Sequence, residues 1–254
     1  MNSPLKSPIT NNKSLATLKR LIPEQSVVHS FLLYDGNLET ALSDSKRFVV
    51  ANTNRYVNYE FWMCLLSDPE RLATIANHFS PIESKNIFDI LQKEWLKYPD
   101  PFMRSGLFYL LNKSSDMGYI SSGKLVEDID LTREIKKLQS FVAPNFHVQL
   151  NKEENFISSM QDITTQCDYI FVPVGSFSLN LLEEGKNIGF EQTRVVHQEL
   201  KKFIDTTDRK VILLYKHSQS VVNLFKDNTQ YIIDQWGRHT ESTKFATEIL
   251  IANF

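Results

Sequence analysis

A chain of 254 residues, 42% of them apolar and 23% charged, can build one large core or a core carrying an inserted subdomain. Those proportions exclude disordered, collagen-like and disulfide-stapled classes, and no apolar run reaches membrane-spanning length. The net charge of −2 excludes a broad field for attracting nucleic acid, while leaving room for a local basic patch.

The start is polar and lacks a signal-peptide pattern, so an intracellular protein is expected, neither secreted nor membrane-bound. Cys64 and Cys167 stand in apolar surroundings without metal-ligand spacing and read as buried thiols of a reducing compartment. The 8 glycines are few for a nucleotide-binding α/β enzyme, whose cofactor loops consume several.

Residues 1 to 14, with two prolines and many Ser and Asn, predict a loosely held arm. Ser14 is placed to cap a helix through Leu15, Leu18, Leu21 and Ile22, ended by Pro23. Ser26 to Tyr34 reads as a strand closed by Asp35-Gly36, residues 37 to 43 as a short helix, and Arg47 to Ala51 as a second strand. That succession begins a parallel α/β sheet.

From Val57 the period turns helical. Runs around Phe61 and Trp62, around Leu72 and Ile75 after the Asp68-Pro69 start signal, around Phe88 and Trp95, and from Phe102 to Leu111 each give a helix. Ser114 to Lys124 reads as a loop or a hairpin, and Leu131 to Phe141 as another helix. We read residues 57–141 as an inserted helical subdomain, between core segments 1–56 and 142–254.

The α/β pattern resumes with a strand at Asn145 to Leu150, a helix at Glu154 to Thr165 and a strand at Asp168 to Val174. A helix follows at Gln192 to Asp205, with Val196, Leu200 and Phe203 inward, then a strand at Lys210 to Tyr215 and a helix at Ser218 to Lys226. Tyr231 to Asp234 and Thr247 to Ala252 close the chain as an antiparallel pair.

The stretch Cys167 to Ser176 is the one placed like an active site: a buried parallel strand running into a Pro-Gly loop. Yet Val172, Pro173, Val174, Gly175 and Ser176 supply no carboxylate, imidazole or thiol. Among other candidates, His29 at the strand end reads as a partly buried polar residue in preference to a ligand or base, His78, His147 and His197 have no partner at metal spacing, and Asp168 reads as a strand-start residue. Trp62 and Trp95 sit at core spacing, and Trp236-Gly-Arg238-His239 with Lys244 forms the best late basic-aromatic cluster.

The ordered set Leu21-Ile-Pro-Glu24, Leu65-Leu-Ser-Asp-Pro-Glu-Arg-Leu72, Phe108-Tyr-Leu-Leu-Asn-Lys113 and Glu248-Ile-Leu-Ile-Ala-Asn-Phe254 resembles segments of the Dam-type DNA adenine-N6 methyltransferases. The resemblance implies a Rossmann-like methyltransferase core, a mixed, mostly parallel sheet with helices on both faces. It also implies an inserted helical subdomain that recognises DNA.

The family's functional motifs are degenerate here. Its first cofactor segment is matched by Lys6 to Asn11, where only Lys6 survives. Its glycine loop after the first strand is matched by His29 to Asp35, where Phe31 persists, Leu33 and Asp35 replace glycines, and Gly36 is the nearest substitute. Its ribose-binding aspartate becomes Asn52. Its catalytic Asp-Pro-Pro-Tyr, which accepts from the adenine amino group and stacks on the flipped base, falls on Val172 to Gly175 or Pro173 to Ser176. Lys113, Ser121, Ser122 and Lys124, with Arg238, His239 and Lys244, are the candidate DNA contacts.

The leading expectation is therefore a catalytically inactive homologue without a cofactor, serving as a binding subunit. Its partner is double-stranded DNA, a protein such as an active methyltransferase-type subunit, or both. The alternatives are an active divergent enzyme using S-adenosylmethionine through Gly36, Asn52 and Phe177, and an interaction protein without nucleic-acid binding.

Overall fold

Short β-branched runs separated by amphipathic helices demand a parallel sheet, because parallel neighbours need long crossover connections. The computed structural model describes residues 3–6, 13–116, 118–120, 122–127, 129–151, 155–175 and 195–254. Its strands are β1 (Val27–Ser30), β2 (Phe48–Thr53), β3 (Phe146–Leu150), β4 (Tyr169–Gly175), β5 (Lys210–Lys216), β6 (Thr229–Asp234) and β7 (Ala246–Ala252). They form one sheet in the order β3-β2-β1-β4-β5-β7-β6. All neighbours through β5 are parallel, and β7 runs antiparallel to both β5 and β6. This is the doubly wound order with a reversed seventh strand wedged before the last: the Rossmann-like methyltransferase fold that the sequence led us to expect.

The helices are α1 (Leu15–Leu21), α2 (Asn37–Asp44), α3 (Tyr56–Ser67), α4 (Pro69–His78), α5 (Lys85–Glu94), α6 (Pro101–Ser114), α7 (Thr132–Gln139), α8 (Phe156–Gln161), α9 (His197–Thr206) and α10 (Gln219–Leu224). Strand alternation divides the interior in two. Val28, Val49, Ala51, Phe146, Phe171 and Ile212 face a core shared with α1 to α3, which continues through Leu72, Phe88, Trp95, Phe108 and Leu138 of the helices between β2 and β3. Ile170, Val172, Val211, Leu213 and Ile251 face a second core covered by α8 to α10. Asp68, Ser84 and Asp100 cap their helices through Arg71 N, Ile87 N and Met103 N at 2.9, 3.3 and 3.0 Å.

Several expectations need correction. The apolar run to Tyr34 predicts a longer first strand, but β1 ends at Ser30 and Leu32 turns left-handed at φ 61°. Ser14 makes no side-chain cap for α1; its hydroxyl donates to Glu248 instead. Val196 is exposed rather than inward, because α9 starts at His197 and turns only Leu200, Phe203 and Ile204 to the core. The predicted loose arm is tied down at residues 3–6: Leu5 is buried, and Lys6 N donates to Asn112 Oδ1 at 2.8 Å.

Candidate functional site

In doubly wound sheets, ligands bind beyond the carboxyl ends of the strands where the strand order reverses. Here that place lies between β1 and β4. At the end of β4, Val172 and Val174 turn into the second core, with Pro173 between them and Gly175 left-handed at φ 78°. Residues 172–175 therefore bring no ionisable side chain to the edge. Ser176 and Phe177 lie outside the described residues.

The turn after β1 is filled from within. Phe31 and Leu32 are buried in the second core and Leu33 in the first. Left-handed backbone at a leucine costs about 1–2 kcal/mol, which burial of the side chain offsets. Asp35 is buried and points at the start of α2, accepting from Asn37 N and Nδ2 at 3.2 Å each. Gly36 follows at φ 70°, so close to Trp62 that a Cβ would meet its ring at 2.5 Å.

The other cofactor-position residues are likewise built into the scaffold. The Lys6 ammonium donates to the Ser115 carbonyl at 2.7 Å, which neutralises the end of α6 rather than a ligand. The Asn52 amide donates to the carbonyls of Ser30 and Val50, both at 3.1 Å. Ser3 closes the turn from outside: its hydroxyl donates to the Asp35 carbonyl and its N–H to Asn37 Oδ1 at 3.1 Å.

Two buried ionisable residues at this edge escape a sequence reading. Glu39 of α2 accepts from Ser30 Oγ at 2.8 Å, and burial raises its pKa to about 7, with the nearby Asp35 adding to the shift. Its signal was a glutamate between Leu38 and Leu42 on a helix whose middle is wholly buried. Arg55 is also buried, its guanidinium carbon 5.2 Å from the Tyr34 ring centroid.

Phe31 and Asn52 do reach an open cleft of about 320 Å³ between the β1–β3 face and α8. His29, Gln149, Asp162 and Thr165 also line it. Burial lowers the His29 pKa, so the ring is neutral at pH 7, with Nε2 3.2 Å from the Gln166 carbonyl and 3.3 Å from Thr165 Oγ1. The cleft is thus polar and offers one acid, Asp162, among its lining residues.

The candidate DNA contacts divide between two elements. On the helical segment, Lys113 turns to Glu134 at 3.5 Å and lies over Tyr109, and burial lowers its pKa, so it is a structural cation rather than an open phosphate contact. Ser122 and Lys124 are exposed on a loop that Gln92 holds through the carbonyls of Ile120 and Gly123, at 2.7 and 2.9 Å; Ser121 lies outside the described residues. Arg238, His239 and Lys244 are exposed on the connection from β6 to β7. Among the described residues, no cluster of His, Cys, Asp and Glu would hold a metal, and no helix is long and apolar enough to cross a membrane.

No protein-family model matches the chain, and no curated protein matches it. Among solved structures, 46 chains match. One is a TehB-like SAM-dependent methyltransferase from Corynebacterium glutamicum, 8% identical, with a TM-score of 0.36, covering 94% of this chain and 85% of that one. A superposition that loose adds nothing to the strand order itself.

Proposed function

We propose that this methyltransferase-fold chain is catalytically silent and acts as a binding subunit for DNA, for a protein, or for both. The observation that carries this reading is the end of β4. Val172 and Val174 are buried in the core, and no side-chain acceptor stands at residues 172–175 to draw on an adenine amino group. Losing such a positioned contact costs about 3–4 kcal/mol of transition-state stabilisation.

The described residues also fit S-adenosylmethionine poorly. Leu32, Leu33 and Asp35 occupy a turn that would have to let the backbone approach the methionine half. Asn52, in place of a ribose-binding carboxylate, has its amide committed to two carbonyls. Transfer of a tritiated methyl group from S-adenosylmethionine to adenine-containing DNA tests the reading: no incorporation is expected, and turnover overturns it.

One observation favours a second reading, an active divergent enzyme. The cleft reached by Phe31 and Asn52 has about 320 Å³, within the range of about 300–1,000 Å³ of small-molecule pockets. The packing of Gly36 on Trp62 weighs against it, since that glycine is not open to a ligand.

A further inference from the structure

The start of α1 and the turn from β6 to β7 are locked together. Gly237, at φ 81°, comes so near α1 that a Cβ would sit 3.0 Å from the Lys13 carbonyl oxygen. Glu248 of β7 accepts from Lys13 N at 3.3 Å and Ser14 N at 2.7 Å. Asp234 organises the turn itself, accepting from Trp236 N at 2.8 Å and Arg238 N at 2.9 Å.

Between these elements lies a groove of about 380 Å³ lined by Lys13, Lys19, Trp236 and Gly237. Trp236 stands at the turn with 61% of its surface exposed, although Trp62 and Trp95 are buried. Phe245, 45% exposed, has its ring centroid 5.7 Å from that of Trp236, and Lys244 Nζ lies 5.5 Å from the Phe245 centroid. Lys13, Arg238 and Lys244 are exposed and Lys19 half-exposed.

The acids nearby offset this charge only in part. Asp234 and Glu248 are buried and directed at backbone N–H groups. Glu241 is the exposed acid of the turn, and Asp44 is a neighbour of Lys19. Open aromatic faces beside several cations match a chain of bases on phosphates.

We infer that this groove and turn bind a short single-stranded stretch of nucleic acid, with bases on Trp236 and Phe245 and phosphates on Lys13, Lys19 and Arg238. The inference deepens the binding-subunit reading and rests on it for a nucleic-acid partner. A single strand is favoured over a duplex because stacking on Trp236 needs a free base face. A duplex exposes one only by unstacking, at a cost of about a few kcal/mol per step.

Trp236 supplies its own readout, being the exposed one of three tryptophans. Titration with a short oligothymidylate is expected to quench the exposed-tryptophan emission, and added salt to weaken binding. By fluorescence anisotropy with the labelled strand, Trp236→Leu should weaken binding about tenfold or more. The double variant K13Q/K19Q should weaken it and flatten the salt dependence. The double variant also guards against misfolding of the tryptophan variant.

Absence of quenching and binding, equal or tighter binding of a duplex of the same length, or unchanged affinity in both variants overturns the inference. The methyl-transfer assay judges the silent scaffold separately. Turnover with strand binding intact sinks only that reading, and a silent protein that ignores oligothymidylate sinks only this one.

Discussion

Glu39→Gln replaces a carboxyl sealed behind the end of β1, where it touches Ser30 and not solvent. An ordinary glutamate titrates at 4.5 and this one at about 7, chiefly because burial penalises the charged form. At about 1.4 kcal/mol per tenfold, that gap is worth about 3 kcal/mol. The folded chain keeps this proton after the unfolded chain has released it. Stability therefore carries no penalty below pH 4.5, falls as pH rises from 4.5 to about 7, and bears the full penalty above. Glutamine mimics the protonated acid and still offers an oxygen to Ser30. Urea unfolding of both proteins should show near-equal stability at pH 4.5 and an advantage of about 3 kcal/mol for glutamine well above pH 7. Other titrating groups cancel in the difference, so a difference independent of pH would refute the assignment of a buried, protonated Glu39.

Gly36→Ala should lower thermal stability by about 1–3 kcal/mol, because the new methyl meets Trp62 at 2.5 Å on a backbone at φ 70°. Arg104→Ala should cost about 3–5 kcal/mol in urea unfolding, since it strands the buried Glu60 carboxylate, and adding Glu60→Ala should recover part of the loss. Asn112→Ala removes contacts to Lys6 N, Lys6 O and Gly118 O at 2.8 Å each. Limited proteolysis should then cut the amino-terminal segment faster, with about 1–3 kcal/mol lost.

What a sequence shows well is local. Asp68-Pro69 announces a helix start because cap and proline act within one turn, and α4 begins there. The reversed last strand pair was visible in two apolar runs separated by a polar turn, and β6 and β7 pair antiparallel. The site edge was legible only as a strand end without ionisable side chains. What holds the surrounding residues depends on distant partners: Lys6 meets Ser115, 109 residues away, and Val27 N meets the Asp168 carboxylate, 141 residues away. The early end of β1 was hidden for another reason. An apolar run reads the same whether it continues a strand, where Phe31 and Leu33 would share one face, or turns so that these two enter different cores, as they do here.

Calorimetric titration with S-adenosylmethionine is the most direct test of the proposal that this fold works as a silent scaffold. The account predicts no saturable heat. A one-to-one binding isotherm would contradict it.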